Sequence, residues 1–425
     1  MEPASAGFLW QFTRYCSIIS SDMSYLNGYY FVDREVVESK VYALIKATEK
    51  KAKVNWWYYN EIFDYANESF KLHDASLESM YRQRALQLRD TYDYLILNYS
   101  GGADSHNILV TFLKNNIKLD HIFVQWPERL MDRGLYVPNA TDKSNANFHS
   151  EWDLVLKKDL EWIGKNHPEI KIEIADWTTT VTDKFYTDDI FANTVSNLPS
   201  IARAQKQHTF SPTEGTLALA GKRVASIFGV DKPQVTFADG KWFMSFVDTA
   251  CMASANPDNP NGTEYFYITP MMPELAILQA HKVAKWYIDH PKKLYLVRNK
   301  KFRRQIEPGY NDMTYQQHYV EYEEIAEIVK KVCYPYWDFN KFQAAKPFSQ
   351  LDNLEMGVRA WDNILTALPT FDKAQQAWEY HWKSYLEKID PRLMRSKDTV
   401  AVCRSRYYEL KLTSPANVDT INIVS

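Results

Sequence analysis

The sequence predicts an α/β fold, and three stretches carry that prediction. Residues 92–99, rich in Tyr, Leu and Ile, read as a buried strand; a Ser-Gly-Gly turn joins them to 105–115, where Ile108, Leu109, Phe112 and Leu113 fall at helical spacing. Residues 119–125 make a second apolar strand, closed by Pro127. Residues 151–165 set Trp152, Leu154, Leu156, Leu160 and Ile163 at helical period, and a third strand follows over 170–177. Strand and helix alternate, as in units joined by helical crossovers.

The remaining elements follow in chain order. Residues 1–90 are expected to form an α+β leader domain, with a hairpin at 29–37, a helix through Val41, Leu44 and Ile45, and a second helix over 77–89. Residues 91–247 are the sheet domain. Within it, Leu217, Leu219, Val224, Ile227 and Phe228 predict a helix stopped by Gly229, and 234–237 a further strand. Lys222 and Arg223 lie on that helix. Turned toward the glycine turn they would bring positive charge to a bound phosphate, and turned outward they form a solvated face; Arg203 and Lys206 are similar but less well placed. Residues 128–150 have no periodicity and read as a loop. Residues 248–395 are expected to be mainly helical, forming one wall of a substrate site: a connecting loop over 248–262, then helices from Pro273 and over 322–332, 354–368 and 373–388. His281 and Lys282 could enter that site, although a lone histidine on an amphipathic helix is more often structural. Residues 396–425 read as an extended tail.

The chemistry is carried by Ser100-Gly101-Gly102-Ala103-Asp104-Ser105. Adjacent glycines let the backbone curl close to phosphate oxygens. The amides of Ala103, Asp104 and Ser105 open the following helix, whose dipole favours an anion, and the hydroxyls of Ser100 and Ser105 can add donors. Asp104 fits beside a polyphosphate if it holds Mg²⁺, and otherwise serves as a helix cap. No Gly-Lys-Ser/Thr follows the turn, and there is no G-x-G-x-x-G fingerprint.

This string, following a buried strand, resembles the PP-loop signature of the N-type ATP pyrophosphatases, the superfamily of GMP synthetase, NAD synthetase, asparagine synthetase, tRNA-lysidine synthetase and the adenylylsulfate reductases. The resemblance spans residues 90–250. The layout, with Gly229-Val230-Asp231-Lys232-Pro233, is also similar to uncharacterised PP-loop proteins often carried by phages. The resemblance implies a parallel sheet with helices on both faces, and attack of a substrate oxygen on the α-phosphate of ATP with loss of pyrophosphate. It implies ATP and Mg²⁺ as ligands and residues 100–105 as the pyrophosphate grip. It also implies adenine contacts at the end of the second strand, at Val124, Gln125 and Trp126. Parallel sheets bind ligands at that edge. Trp126 can stack on the purine or pack against the sheet edge.

Composition narrows the function. The chain has 425 residues, 45% hydrophobic and 24% charged, enough for two or three domains. Cys16, Cys251, Cys333 and Cys403 form no C-x-x-C pair, so neither a disulfide framework nor a cysteine-rich zinc site is expected, and a reduced cytoplasmic setting fits. No run of eighteen apolar residues spans a membrane, and residues 1–20 lack the order of a signal peptide. A net charge of -3 argues against broad attraction to nucleic acid, leaving a small-molecule substrate as the expected partner. Aromatics reach 15%, clustered at 56–59, 334–337 and 378–385; they are base-stacking platforms or, more commonly, core. Glu2 follows Met1, where an asparagine-synthetase-type glutaminase needs a nucleophilic cysteine, and Cys403 is a poor match to a reductase cysteine. The expected activity is therefore an adenylating ligase with Asp104, Lys222 and Arg223 at the reacting phosphates. A non-catalytic nucleotide-binding module and a base-modifying enzyme are the alternatives.

Overall fold

The structure, a computed structural model, describes residues 27–71, 76–126, 152, 156–177, 208–230, 232–248, 253–298, 315–336, 376, 380–381, 383–396, 399–400 and 402–412. In the leader, β1 (Tyr29–Val32) buries Tyr30 and Val32 by strand alternation. Asp33 and Arg34, both at positive φ, turn it into β2 (Glu35–Val37) as the predicted hairpin. Ser39 caps α1 (Lys40–Lys50), whose buried face is Val41, Ala43, Leu44 and Ala47. β3 (Val54–Trp57), not foreseen as a strand, completes an antiparallel sheet in the order β2-β1-β3. α2 (Asn60–Ser69) and α3 (Leu77–Thr91) follow.

The central sheet begins with β4 (Tyr94–Asn98), which leads into α4 (Ala103–Lys114), β5 (His121–Gln125), α5 (Lys157–Asn166) and β6 (Lys171–Ala175). The chain then returns through α6 (Pro212–Leu219) to β7 (Val224–Phe228), on the other side of β4. A hairpin of β8 (Gln234–Ala238) and β9 (Lys241–Ser245) precedes β10 (Thr263–Tyr265), which adds to β7. The five strands stand in the order β10-β7-β4-β5-β6 and every pairing is parallel. Side chains divide by strand alternation. Leu95, Leu97, Ile122, Val124, Ala225 and Ile227 join the main core, which also holds Leu88 of α3, Phe112 of α4 and Ile163 of α5. Ile96, Phe123 and Val224 face the other way, against Leu217 and Ala218 of α6. Helices thus cover both faces, as an all-parallel sheet requires.

Residues 215–228 are a correction. The expected single helix is two elements: α6 ends at Leu219, and Val224–Phe228 is a strand. β7 lies between β4 and β10 with Val224, Ala225 and Ile227 fully buried and only Ser226 interrupting its apolar residues, a run that periodicity alone does not separate from a buried helix. Gly229 follows a strand and stops no helix.

α7 (Pro273–Asp289) and α8 (Tyr315–Cys333) provide the helical carboxy-terminal part. A short ladder of β11 (Met394–Ser396) and β12 (Thr399–Val400) precedes β13 (Tyr408–Leu410). Within the stretch expected to be extended, β13 pairs antiparallel with β9 in the sheet β13-β9-β8. The segments also interlock across the expected boundaries: β10, beyond residue 247, is the edge strand of the central sheet. The buried Asp248 accepts from Lys40 at 2.7 Å, from the Tyr30 hydroxyl at 3.1 Å and from the Cys403 amide at 3.2 Å, tying leader, sheet and tail together. The expected helix at 354–368 lies outside the described residues. Among the described residues no helix is long and apolar enough to cross a membrane.

Candidate functional site

The strand order has one reversal. From β4 the crossover through α4 leads to β5 on one side, whereas β7 and β10 lie on the other. The crevice beyond the carboxyl ends of β4 and β7 is therefore the switch point, the place where parallel sheets of this kind bind ligands. Residues 100–105 leave β4 there, and Gly229 and Val230 leave β7 there.

The turn takes its shape from its two glycines. Gly101 takes φ +74, a region that L side chains rarely enter. Gly102, at φ −74, is the N-cap of α4 and offers no capping side chain, so the first-turn amides keep their donor capacity. The hydroxyls act differently from expectation. Ser105 Oγ accepts from the Ser100 amide at 3.2 Å and reaches the Gly102 carbonyl at 3.2 Å, while Ser100 Oγ accepts from the Gly102 amide at 3.4 Å. They brace the turn from within. Gly229 brings β7 against it: a Cβ there would stand 3.0 Å from Asp104 C and Ser105 N.

Asp104 sits at the centre of a polar network. Its Oδ1 accepts from Lys232 Nζ at 2.5 Å and from the Tyr334 hydroxyl, and its carbonyl accepts from the Tyr267 hydroxyl at 2.7 Å. Asn107 Nδ2 in turn donates to Tyr267 Oη at 3.1 Å. Burial acts to raise the Asp104 pKa, but the Lys232 charge and hydrogen bond, the Tyr334 hydroxyl and the Lys330 charge outweigh it, holding the carboxyl below its ordinary value. It is an ionised carboxylate among cations. Among the described residues no group of three or more His, Cys, Asp or Glu could hold a metal, so a cation here would take one carboxylate and complete its shell from ligand oxygens.

Lys222 and Arg223 are placed elsewhere. Arg223 lies at the amino end of β7, where its carbonyl accepts from the Asp93 amide at 2.8 Å and its guanidinium pairs with the Asp93 carboxylate at 2.8 Å. Lys222 is exposed beside it. A five-residue strand puts that edge roughly 13–16 Å from the turn. Neither cation reaches the turn of residues 100–105; the cation beside it is Lys232. Arg203 and Lys206 lie outside the described residues, as does 127–150.

Val124, Gln125 and Trp126 do share the turn's edge, since Tyr99 donates its amide to the Phe123 carbonyl at 2.9 Å. Gln125 Nε2 donates to the Thr209 carbonyl at 2.6 Å. The Trp126 indole is buried and stacks on Trp152 at 5.0 Å, so it packs into the sheet edge. Behind the turn the Tyr99 hydroxyl donates to Asp159 at 2.6 Å and lies 3.1 Å from His106 Nδ1, pinning α5 against α4.

Other candidates resolve as structure. His281 is buried near Phe70, with its pKa pushed down to about 4 by burial. Burial also pushes the thiols of Cys333 and Cys403 up to about 12, which leaves them poor nucleophiles. Trp56, Tyr58, Tyr59, Tyr334 and Tyr385 are core, not exposed stacking platforms.

Sequence reasoning missed Lys232, Tyr267 and Tyr334 as site residues. Reading Val224–Phe228 as a strand would have put residues 229–232 at its carboxyl end and exposed Lys232; Tyr334 lies 230 positions from Asp104 and left no local signal. No protein-family model matches the chain. No curated protein and no solved structure matches it either.

Proposed function

We propose that this chain is an ATP-dependent adenylating ligase or synthetase of the PP-loop type. The observation that carries the proposal is the position of residues 100–105 at the switch point of an all-parallel sheet, with Gly101 at positive φ and α4 opening directly behind it. The residues fit Mg²⁺·ATP. Unblocked first-turn amides suit the pyrophosphate, Gly229 lets the end of β7 pack directly on the turn, Lys232 is the adjacent cation, and Asp104 supplies a carboxylate of the kind Mg²⁺ with phosphates takes.

Bound Mg²⁺ would supply neutralisation of phosphate charge. The chain's own part is positioning and charge. The first-turn amides hold the β- and γ-phosphates, and Lys232 balances the charge that grows on the leaving group. A carboxylate, amide or carbonyl oxygen of the substrate forms a bond to the α-phosphorus as the bridge to the β-phosphate breaks. Pyrophosphate departs with that electron pair. An amine or other nucleophile then displaces AMP from the activated substrate. Such chemistry depends on in-line placement more than on a strong base. The free, unreactive thiols Cys333 and Cys403 are in keeping with a cytoplasmic setting.

Calorimetric titration tests the site: ATP with Mg²⁺ binds wild type, and Asp104→Ala weakens that binding at least about tenfold, the scale of one lost charge-assisted contact. Equal affinities in the two proteins would remove residues 100–105 from the assignment.

A further inference from the structure

The two oxygens of Asp104 are treated differently. Oδ1 accepts from both Lys232 and Tyr334, whereas Oδ2 has no hydrogen-bond partner among the described residues, and a quarter of the side chain is exposed. One oxygen is anchored and the other is presented. The anchor comes from far along the chain. Tyr334 directly follows α8, and its ring packs on Tyr267 with centroids 5.4 Å apart. The preceding carbonyl, of Cys333, accepts from the Tyr81 hydroxyl at 2.5 Å, and Tyr81 in turn accepts from Gln279 Nε2 at 3.0 Å. The end of α8 is thereby fixed to α3 and α7, and the Tyr334 phenol is delivered to the first turn of α4.

We propose that Tyr334 is a positioning residue for a divalent cation at Asp104: its hydroxyl, with Lys232, locks Oδ1 so that Oδ2 faces the ligand side of the turn. The inference rests on the nucleotide reading of residues 100–105. Carboxylates that bind metals are commonly oriented by donors to their second oxygen, and loss of such a donor costs roughly ten- to a hundredfold in metal affinity. The site is consequently incomplete without the end of α8, which holds the carboxylate in its productive rotamer. A flexible side chain without that anchor spreads over several rotamers.

The test uses the full chain, Mn²⁺ as the probe cation and a non-hydrolysable ATP analogue methylated at the α,β bridge, with free Mn²⁺ followed by electron paramagnetic resonance. Tyr334→Phe keeps the buried ring and removes only the hydroxyl. Mn²⁺ affinity in the presence of the analogue should fall roughly ten- to a hundredfold, while metal-free analogue affinity stays within about twofold, below the scale of one lost hydrogen bond. Tyr81→Phe, which loosens the docking of α8 but leaves the Tyr334 hydroxyl in place, should cost Mn²⁺ affinity less than Tyr334→Phe does. Unchanged Mn²⁺ affinity in Tyr334→Phe overturns the proposal, and so does an equal loss in Tyr81→Phe, which would assign the effect to helix docking. Failure of wild type to bind the analogue with or without Mn²⁺ overturns the underlying nucleotide reading instead.

Discussion

Gly229→Ala isolates the contact that brings β7 onto the turn. The added Cβ would lie 2.9 Å from Ile108 Cδ1 and 3.0 Å from both Asp104 C and Ser105 N. The isoleucine tip can rotate, but the other two atoms are backbone of the first turn of α4. Ordinary carbon contacts lie near 3.5–4.0 Å. Either β7 or the turn must therefore retreat by roughly half an ångström, a clash of the overpacking kind that costs about 1–3 kcal/mol. Loss of glycine's freedom in the unfolded chain returns about 0.4–1 kcal/mol, so a net destabilisation centred on about 1.3 kcal/mol, and at most about 2.6 kcal/mol, remains. The control is Gly164→Ala in α5, where the nearest atom, Ile172 Cδ1, stands at 3.8 Å and the change should stabilise by about 0.5–1 kcal/mol. Urea midpoints should move in opposite directions, and ATP affinity should fall only in Gly229→Ala. A Gly229→Ala protein as stable as wild type, with unaltered ATP binding, would refute the close approach of strand end and turn.

Three further outcomes follow from the site and its surroundings. The double variant Lys222→Ala, Arg223→Ala should bind ATP as wild type does in calorimetric titration, because both side chains lie at the opposite end of β7. Lys232→Met should lose roughly ten- to a hundredfold, the scale of a charge-assisted hydrogen bond of about 1.5–3 kcal/mol; the reverse order of effects would restore the original assignment. His281 titrates near 4 when folded against about 6.5 when unfolded, so the unfolded chain binds the extra proton first and stability is lost as pH falls from 6.5 toward 4. Between neutral pH and about pH 4.5 that contribution is roughly 2–3 kcal/mol, and chemical denaturation of His281→Leu should show an acid-induced loss smaller by this amount. Parallel curves for the two proteins would show that His281 is not held neutral by burial.

Local signals made the heart of the fold legible. Tyr94–Asn98, the glycine turn and Ala103–Lys114 succeed one another with unambiguous punctuation, so strand, turn and helix were all readable from their own residues. The burial of Leu95 and Leu97 and the spacing of Ile108, Leu109 and Phe112 describe the same core from two sides. What escaped was set by distant partners. β7 looks helical because both of its faces are covered, and that misreading carried Lys222 and Arg223 to the wrong end of the sheet. β10 is three residues long and exists by virtue of β7, while β13 exists by virtue of β9. Tyr334 was visible only as one of several clustered aromatics. Its role depends on α8 returning across the sheet domain to Asp104, a pairing that no local pattern encodes.

The bond broken in ATP decides the chemistry. Wild-type protein incubated with Mg²⁺·ATP and a metabolite extract, with nucleotides resolved by chromatography and phosphates by phosphorus nuclear magnetic resonance, should release AMP and pyrophosphate in equal amounts. Asp104→Ala should abolish that release. Formation of ADP and inorganic phosphate dependent on the same residue would place cleavage at the γ-phosphate and contradict adenylation.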